Sequence, residues 1–208
     1  MKAWAMILLC IFLCFPMQPA EAEGSFMQAK PADAGLLHSL RQGGYILYIR
    51  HGDTVGEDLP NLDLSDCSTQ RNLSEAARRE AVKLGMALRG LQVPIDTPVL
   101  ASPFCRAKDT AALAFGESNV RTDPVGLDIY RLNGNLSANE QQAALTAVTA
   151  ALETKPSAGK NTVIVAHGFP AGVALGDIPP LGTVVLKPGG RGNGYEIIGR
   201  IGPDEWDK

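Results

Sequence analysis

The chain holds three histidines, and two of them, His51 and His167, stand in equivalent settings. The apolar run Tyr45-Ile46-Leu47-Tyr48-Ile49 leads into Arg50-His51, and Thr162-Val163-Ile164-Val165-Ala166 leads into His167. Each histidine is followed by a glycine, Gly52 or Gly168. Imidazole is the side chain best suited to nucleophilic or proton-transfer work near neutral pH. Arg50 precedes His51, and Arg106 follows Ser102-Pro103-Phe104-Cys105. A guanidinium offers a planar fork of donors that matches the oxygens of an oxyanion. One strand-end histidine is often only a satisfied polar group, and one arginine is often only a surface ion pair. Four such groups placed alike imply a pocket for a strongly anionic ligand. Gly52 and Gly168 are expected to leave their backbone N–H groups open to that ligand. His38 falls earlier, on a first helix, and reads as structural or exposed.

The elements that must position these groups follow from periodicity. The two apolar runs have the continuous hydrophobicity of strands covered on both faces of a parallel sheet. In such sheets ligands bind beyond the carboxyl ends of the strands, which is where both histidines fall. A short helix is predicted over 35–41 with Asp33 as a possible cap, and residues 52–70 read as loop. Ser74 caps a helix reaching about Leu91, with Leu73, Ala77, Ala81, Leu84, Leu88 and Leu91 on one face. Val99-Leu100-Ala101 is a short strand. Ser102-Pro103 then opens a helix with proline at its first position, which ends near Gly116 and puts Arg106 on its first turn. Residues 119–136 read as a short strand and a loop. Ser137 with Glu140 forms a capping box for a helix to about Leu152. Residues 183–186 and 195–201 form a hairpin around Gly189–Gly194, which lacks the spacing of a phosphate loop. Strands alternating with helices imply a layered α/β domain with a mostly parallel sheet.

Composition sets the frame. The 208 residues carry a net charge of −3 and give no global reason to bind nucleic acid, so an anion site must be a local cluster of cations. Lys2, the apolar run Ala5 to Phe15, Pro16 and Ala20-Glu21-Ala22 read as a secretory signal peptide over residues 1–22. The run is too short to span a bilayer, which takes about 20 apolar residues. Cys10 and Cys14 follow leucines rather than the small residue of a lipid-attachment signal, so no stable membrane anchor is expected. Residues 23–208 are then one domain. Cys67 and Cys105 remain after cleavage, as a disulfide in an oxidising compartment or as two buried thiols. Neither C-x-x-C nor H-E-x-x-H occurs, so zinc is not expected.

Arg50-His51-Gly52-Asp53-Thr54 resembles the R-H-G-[E/D/Q]-T signature of the histidine phosphatase superfamily, whose fold is phosphoglycerate mutase-like. Asn72-Leu73-Ser74-Glu75, Ser102 to Thr110 (SPFCRAKDT) and Val163 to Gly168 (VIVAHG) resemble further segments of the family, in the family's order. The stretches around Cys67 and Cys105 and the ending Gly199 to Trp206 are similar to an exported subgroup of small phosphatases.

The resemblance implies a three-layer α/β/α sandwich and a metal-independent reaction with no cofactor. His51 would take the phosphoryl group, and Arg50, Arg106 and His167 would hold its oxygens. A general acid is expected at Asp128, in Asp123 to Ile129 (DPVGLDI), with Asp53 as the other candidate. Gln70 and Arg71 are placed to touch substrate. The implied partner is a small phosphorylated molecule, a cell-envelope sugar phosphate being one class, met in the periplasm or outside the cell. A phosphomutase, or a binding module of the same fold without turnover, is the alternative. Every version requires the two imidazoles to meet around one oxyanion-sized hole, with His51 reachable from solvent.

Overall fold

In a computed structural model, residues 33–206 are described. The apolar run at the start of the chain and the cleavage pattern at 20–22 lie outside these residues. Among the described residues no helix is long and apolar enough to cross a membrane.

The chain opens with α1 (Ala34–Gln42), capped by the Asp33 carboxylate on the Leu36 N–H. It enters β1 (Ile46–Arg50) and a small ladder of β2 (Thr54–Val55) with β3 (Asn72–Leu73), interrupting the stretch expected to be all loop. The Ser74 hydroxyl caps α2 (Glu75–Gly90), whose buried residues Ala77, Ala81, Leu84 and Leu88 are the predicted stripe. β4 (Val99–Ala101) and α3 (Cys105–Phe115) follow. The helix starts later than expected. Phe104 is its N-cap, with its carbonyl accepting from the Ala107 and Lys108 N–H groups, so Pro103 precedes the helix rather than opening it.

β5 (Val120–Thr122) leads to α4 (Val125–Arg131), in the segment expected to be loop. At seven residues α4 is too short to display a helical period, and it forms because Val125, Gly126 and Ile129 are buried while Asp123 accepts from the Val125 N–H. α5 (Ala138–Leu152) begins with the predicted Ser137–Glu140 capping box. β6 (Thr162–Ala166), β7 (Thr183–Pro188) and β8 (Tyr195–Ile201) complete a six-stranded sheet of order β5-β4-β6-β1-β7-β8. β5, β4, β6 and β1 run parallel, and β7 and β8 form the antiparallel hairpin.

The alternation of β1 divides the core. Leu47 and Ile49 pack with α1, α2 and α3, together with Trp206, on one face. Ile46 and Tyr48 pack with α4 and α5 on the other, giving the three layers. The register fixes the edge where chemistry can occur. Arg50 pairs with Ala166, and Ala101 pairs with Val165. The next residues on the three parallel strands, His51, His167 and Ser102, therefore emerge side by side. The His51 N–H to Ala166 carbonyl bond and the Ser102 N–H to Val165 carbonyl bond, both 2.9 Å, hold that alignment.

Candidate active site

The two imidazoles meet. Their ring centroids are 5.3 Å apart and the rings stand nearly edge to face, at 74°. His51 Nδ1 lies 2.8 Å from the Gly52 carbonyl oxygen. A carbonyl only accepts, so Nδ1 carries the hydrogen and Nε2 keeps its lone pair. His167 Nε2 lies 2.8 Å from Ser102 Oγ. The Tyr48 hydroxyl donates to the His167 carbonyl oxygen and anchors the end of β6 from below. Phe104 and Tyr130 flank the His167 ring, at 5.0 and 5.3 Å between centroids.

Burial decides the charge of both rings. Desolvation, aided by the nearby guanidinium charges, holds His51 down to about 3, against the lifting effect of the Gly52 carbonyl. Desolvation, then the His51 charge and the same arginines, holds His167 down to about 2. Both imidazoles are neutral at pH 7, the form a nucleophile requires. His51 is only 3% exposed, against the expectation of a solvent-reachable ring, so a substrate meets it only after side chains packed around it move. The physical reason is the crowd of cationic and aromatic side chains around it.

Three guanidiniums belong to that crowd. Arg50 donates from Nη1 to the Ile178 carbonyl oxygen at 2.5 Å and lies 3.6 Å from the Asp177 carboxylate. Arg106, on the first turn of α3, is fully buried, and its guanidinium carbon sits 4.2 Å from the Phe104 ring centre. Desolvation lowers its proton affinity, and the Asp58 carboxylate opposes that. Asp58 Oδ1 lies 3.0 Å from Arg106 Nη1. The Arg71 N–H donates to the same oxygen at 2.9 Å, and Arg71 Nε is 3.8 Å from Oδ2. Arg71 thus stands beside Arg106 in the cluster.

Several expected contacts fall elsewhere. The Gly52 N–H is not open to a ligand, because it donates to Thr110 Oγ1 at 3.1 Å. This glycine is needed for packing, since a Cβ would stand 2.9 Å from that of Ala77 on α2. Gly168 packs against the Arg50 side chain and its carbonyl accepts from Asn133, and neither contact engages its N–H. Gln70 is buried and structural, accepting from the Cys105 N–H through Oε1 and donating to the Asp63 carbonyl through Nε2. Asp53 is exposed. α4 presses Gly126 against Ser102, where a Cβ would come within 2.5 Å, and turns Tyr130 toward His167. Residues two apart on a helix face opposite ways, so Asp128 lies on the side of α4 away from both. Cys67 and Cys105 are joined by a disulfide with the Cα atoms 5.7 Å apart, which ties the loop carrying Asp58, Gln70 and Arg71 to the start of α3.

Sequence reasoning missed Asp58, Ser102 and Tyr130. Ser102 had a signal, its place directly after a parallel strand. Asp58 and Tyr130 had none, because each reaches the site from a segment read as loop. Among the described residues no group of three or more histidines, cysteines and acids is gathered as a metal site.

Strand-end histidines on a parallel sheet, with arginines from two other elements around them, make a site suited to a phosphate-sized oxyanion. Residues 46–128, which carry Arg50, His51 and Arg106, match the family model of the Histidine phosphatase superfamily (branch 1). Solved structures of similar fold include a mycobacterial glucosyl-3-phosphoglycerate phosphatase bound to VO3, at 20% identity and TM-score 0.49, covering 76% of this chain and 98% of that one. The protein histidine phosphatase SixA with tungstate is similar at 18% identity and TM-score 0.45, covering 76% and 97%. The ecdysone phosphate phosphatase of Bombix mori with tungstate is similar at 12% identity and TM-score 0.44, covering 77% and 93%. No curated protein matches the sequence.

Proposed function

We propose that the protein is a phosphomonoesterase that works through a phosphohistidine on His51. The observation that carries this is the state of His51. It is a neutral ring with Nδ1 tied to the Gly52 carbonyl and the Nε2 lone pair free, set among three guanidiniums. Nε2 attacks phosphorus, the P–N bond forms and the P–O bond to the leaving group breaks, the departing oxygen taking a proton from water. Charge on the equatorial oxygens is met by Arg50, Arg106 and Arg71 in a water-poor site. His167 joins them as a donor through Nδ1–H when the Ser102 hydroxyl donates to Nε2. Water then attacks phosphorus, its P–O bond forms as the P–N bond breaks, the water's proton passes to solvent and His51 returns to its neutral form. The cationic side chains do the clamping, so the reaction needs no metal ion.

The substrate class is a small phosphate monoester, with phosphorylated envelope sugars one candidate group. Export is supported by the signal-like pattern of residues 1–22 and by the Cys67–Cys105 disulfide, which suits an oxidising compartment. The test is hydrolysis of an aryl phosphate by the wild type and by His51→Ala. Turnover lost in the variant is expected. Equal turnover in both, or binding of phosphate with no turnover in the wild type, defeats the proposal, the latter in favour of a binding module. Trapping the phosphorylated chain by acid-free denaturation and locating the group on His51 by mass spectrometry adds a direct readout.

A further inference from the structure

We propose that Asp58 is a resident counter-ion that occupies the phosphoryl clamp of the free protein and must leave Arg106 before a phosphate can bind. This rests on the reading of Arg106 as a phosphoryl-holding residue. The carboxylate spans the guanidinium, with Oδ1 3.0 Å from Nη1 and Oδ2 3.4 Å from Nη2. This is the end-on approach a phosphate would make to the same two nitrogens. The carboxylate also takes the Arg71 N–H at 2.9 Å and faces the Tyr130 hydroxyl at 3.5 Å. It thereby gathers donors from three separate elements, as a bound oxyanion would.

The occupation has a physical cause. Arg106 is completely buried, and a buried cation left without a partner is strongly destabilising. In the ligand-free protein Asp58 supplies the missing negative charge. A phosphoryl dianion supplies more, so on binding it relieves Arg106 of its need for Asp58. The carboxylate has somewhere to go, because its neighbours Glu57 and Leu59 are exposed and its own side chain is 18% exposed. His51 and His167 are 3% and 4% exposed in the state in which Asp58 sits on the clamp. Asp58 acts through Arg106 and is a positioning residue.

Two functional consequences follow. Anions bind more weakly than the clamp alone would allow, because only the fraction of molecules with Asp58 displaced is competent. Product phosphate leaves faster, because Asp58 returns to the fork it vacates.

The experiment measures inhibition by inorganic phosphate, and KM and kcat for an aryl phosphate, in wild type, Asp58→Asn and Asp58→Glu. In Asp58→Asn the phosphate inhibition constant should fall about tenfold, on the order expected when a competing state is removed, with KM falling alongside kcat. Asp58→Glu should restore values near the wild type. An inhibition constant unchanged or raised in Asp58→Asn overturns the proposal. So does a loss of kcat on an alkyl phosphate but not on an aryl phosphate at unchanged phosphate affinity, which would make Asp58 a proton donor. If Asp58→Asn is poorly folded, melting curves decide: inorganic phosphate should raise its melting temperature more than it raises that of the wild type, and an equal or smaller rise overturns the proposal. A wild type that hydrolyses aryl phosphate while Asp58→Asn binds phosphate no more tightly leaves the phosphatase reading standing and removes only this one. A wild type that neither hydrolyses nor binds removes both.

Discussion

Acidification from pH 7 to pH 5 should destabilise this protein through its two active-site histidines. Both are bases whose folded-state pKa lies far below the ordinary value near 6.5, at about 3 for His51 and about 2 for His167. The folded form keeps both rings neutral over this range, while the unfolded chain takes up a proton on each. Stability is therefore complete above about pH 6.5 and falls as pH drops below it, down to the folded pKa values. For one such histidine, the change between pH 7 and pH 5 is about 2 kcal/mol, so the pair contributes about 4 kcal/mol. Because the rings are almost wholly buried, solvent screening reduces this little. In a domain of this size the loss corresponds to a melting-temperature drop on the order of 10 °C. The assay is urea unfolding of the purified protein at pH 7, 6 and 5, repeated on His51→Asn. The variant should lose about half of the pH dependence between 7 and 5. A wild type equally stable at pH 7 and 5, or a variant with the full wild-type slope, would show that these rings are not held neutral and would remove the physical basis for a neutral nucleophile.

Activity on an aryl phosphate should survive exhaustive treatment with a chelator, and loss restored by a divalent cation would contradict clamping by side chains alone. Gly126→Ala places a methyl group within 2.5 Å of Ser102. Denaturation should show about 1–3 kcal/mol of destabilisation, the usual scale of overpacking, and turnover should fall as Ser102 is pushed off His167, whereas full activity would show that this contact does not matter. Reduction of Cys67–Cys105, separated by 38 positions, should cost about 4 kcal/mol on the loop-entropy scale and lower activity by loosening the segment that carries Arg71. Non-reducing mass measurement should find the oxidised chain lacking both thiol hydrogens, and a chain with free thiols at full stability would refute the bridge.

Much of the frame was legible because its signals are local. The continuous apolar runs 45–49 and 162–166 could be read as buried parallel strands, and the histidines at their ends could be placed on one sheet edge. The Ser74 cap and the Ser137–Glu140 box depend only on residues within one helical turn, and both occur as read. Arg50, Arg71, Arg106 and His167 all come to the site. The misreadings occurred where a contact distant in sequence overrides local pattern. α4 exists because its apolar residues are buried against β6 and α5, although seven residues are too few to display a helical period. Gly52 looked like a ligand-facing glycine and is instead a close approach to α2.

The sequence by itself determined the layered α/β class, the two strand-end histidines and a local gathering of cations in a net-acidic chain, since each is set by residue type and short-range spacing. Only the tertiary structure decided the protonation of the imidazoles, which depends on how much water packing removes. It alone revealed the partner of Arg106, because a buried cation must be matched by whatever carboxylate the fold brings near, and Asp58 stands 48 positions away in the chain.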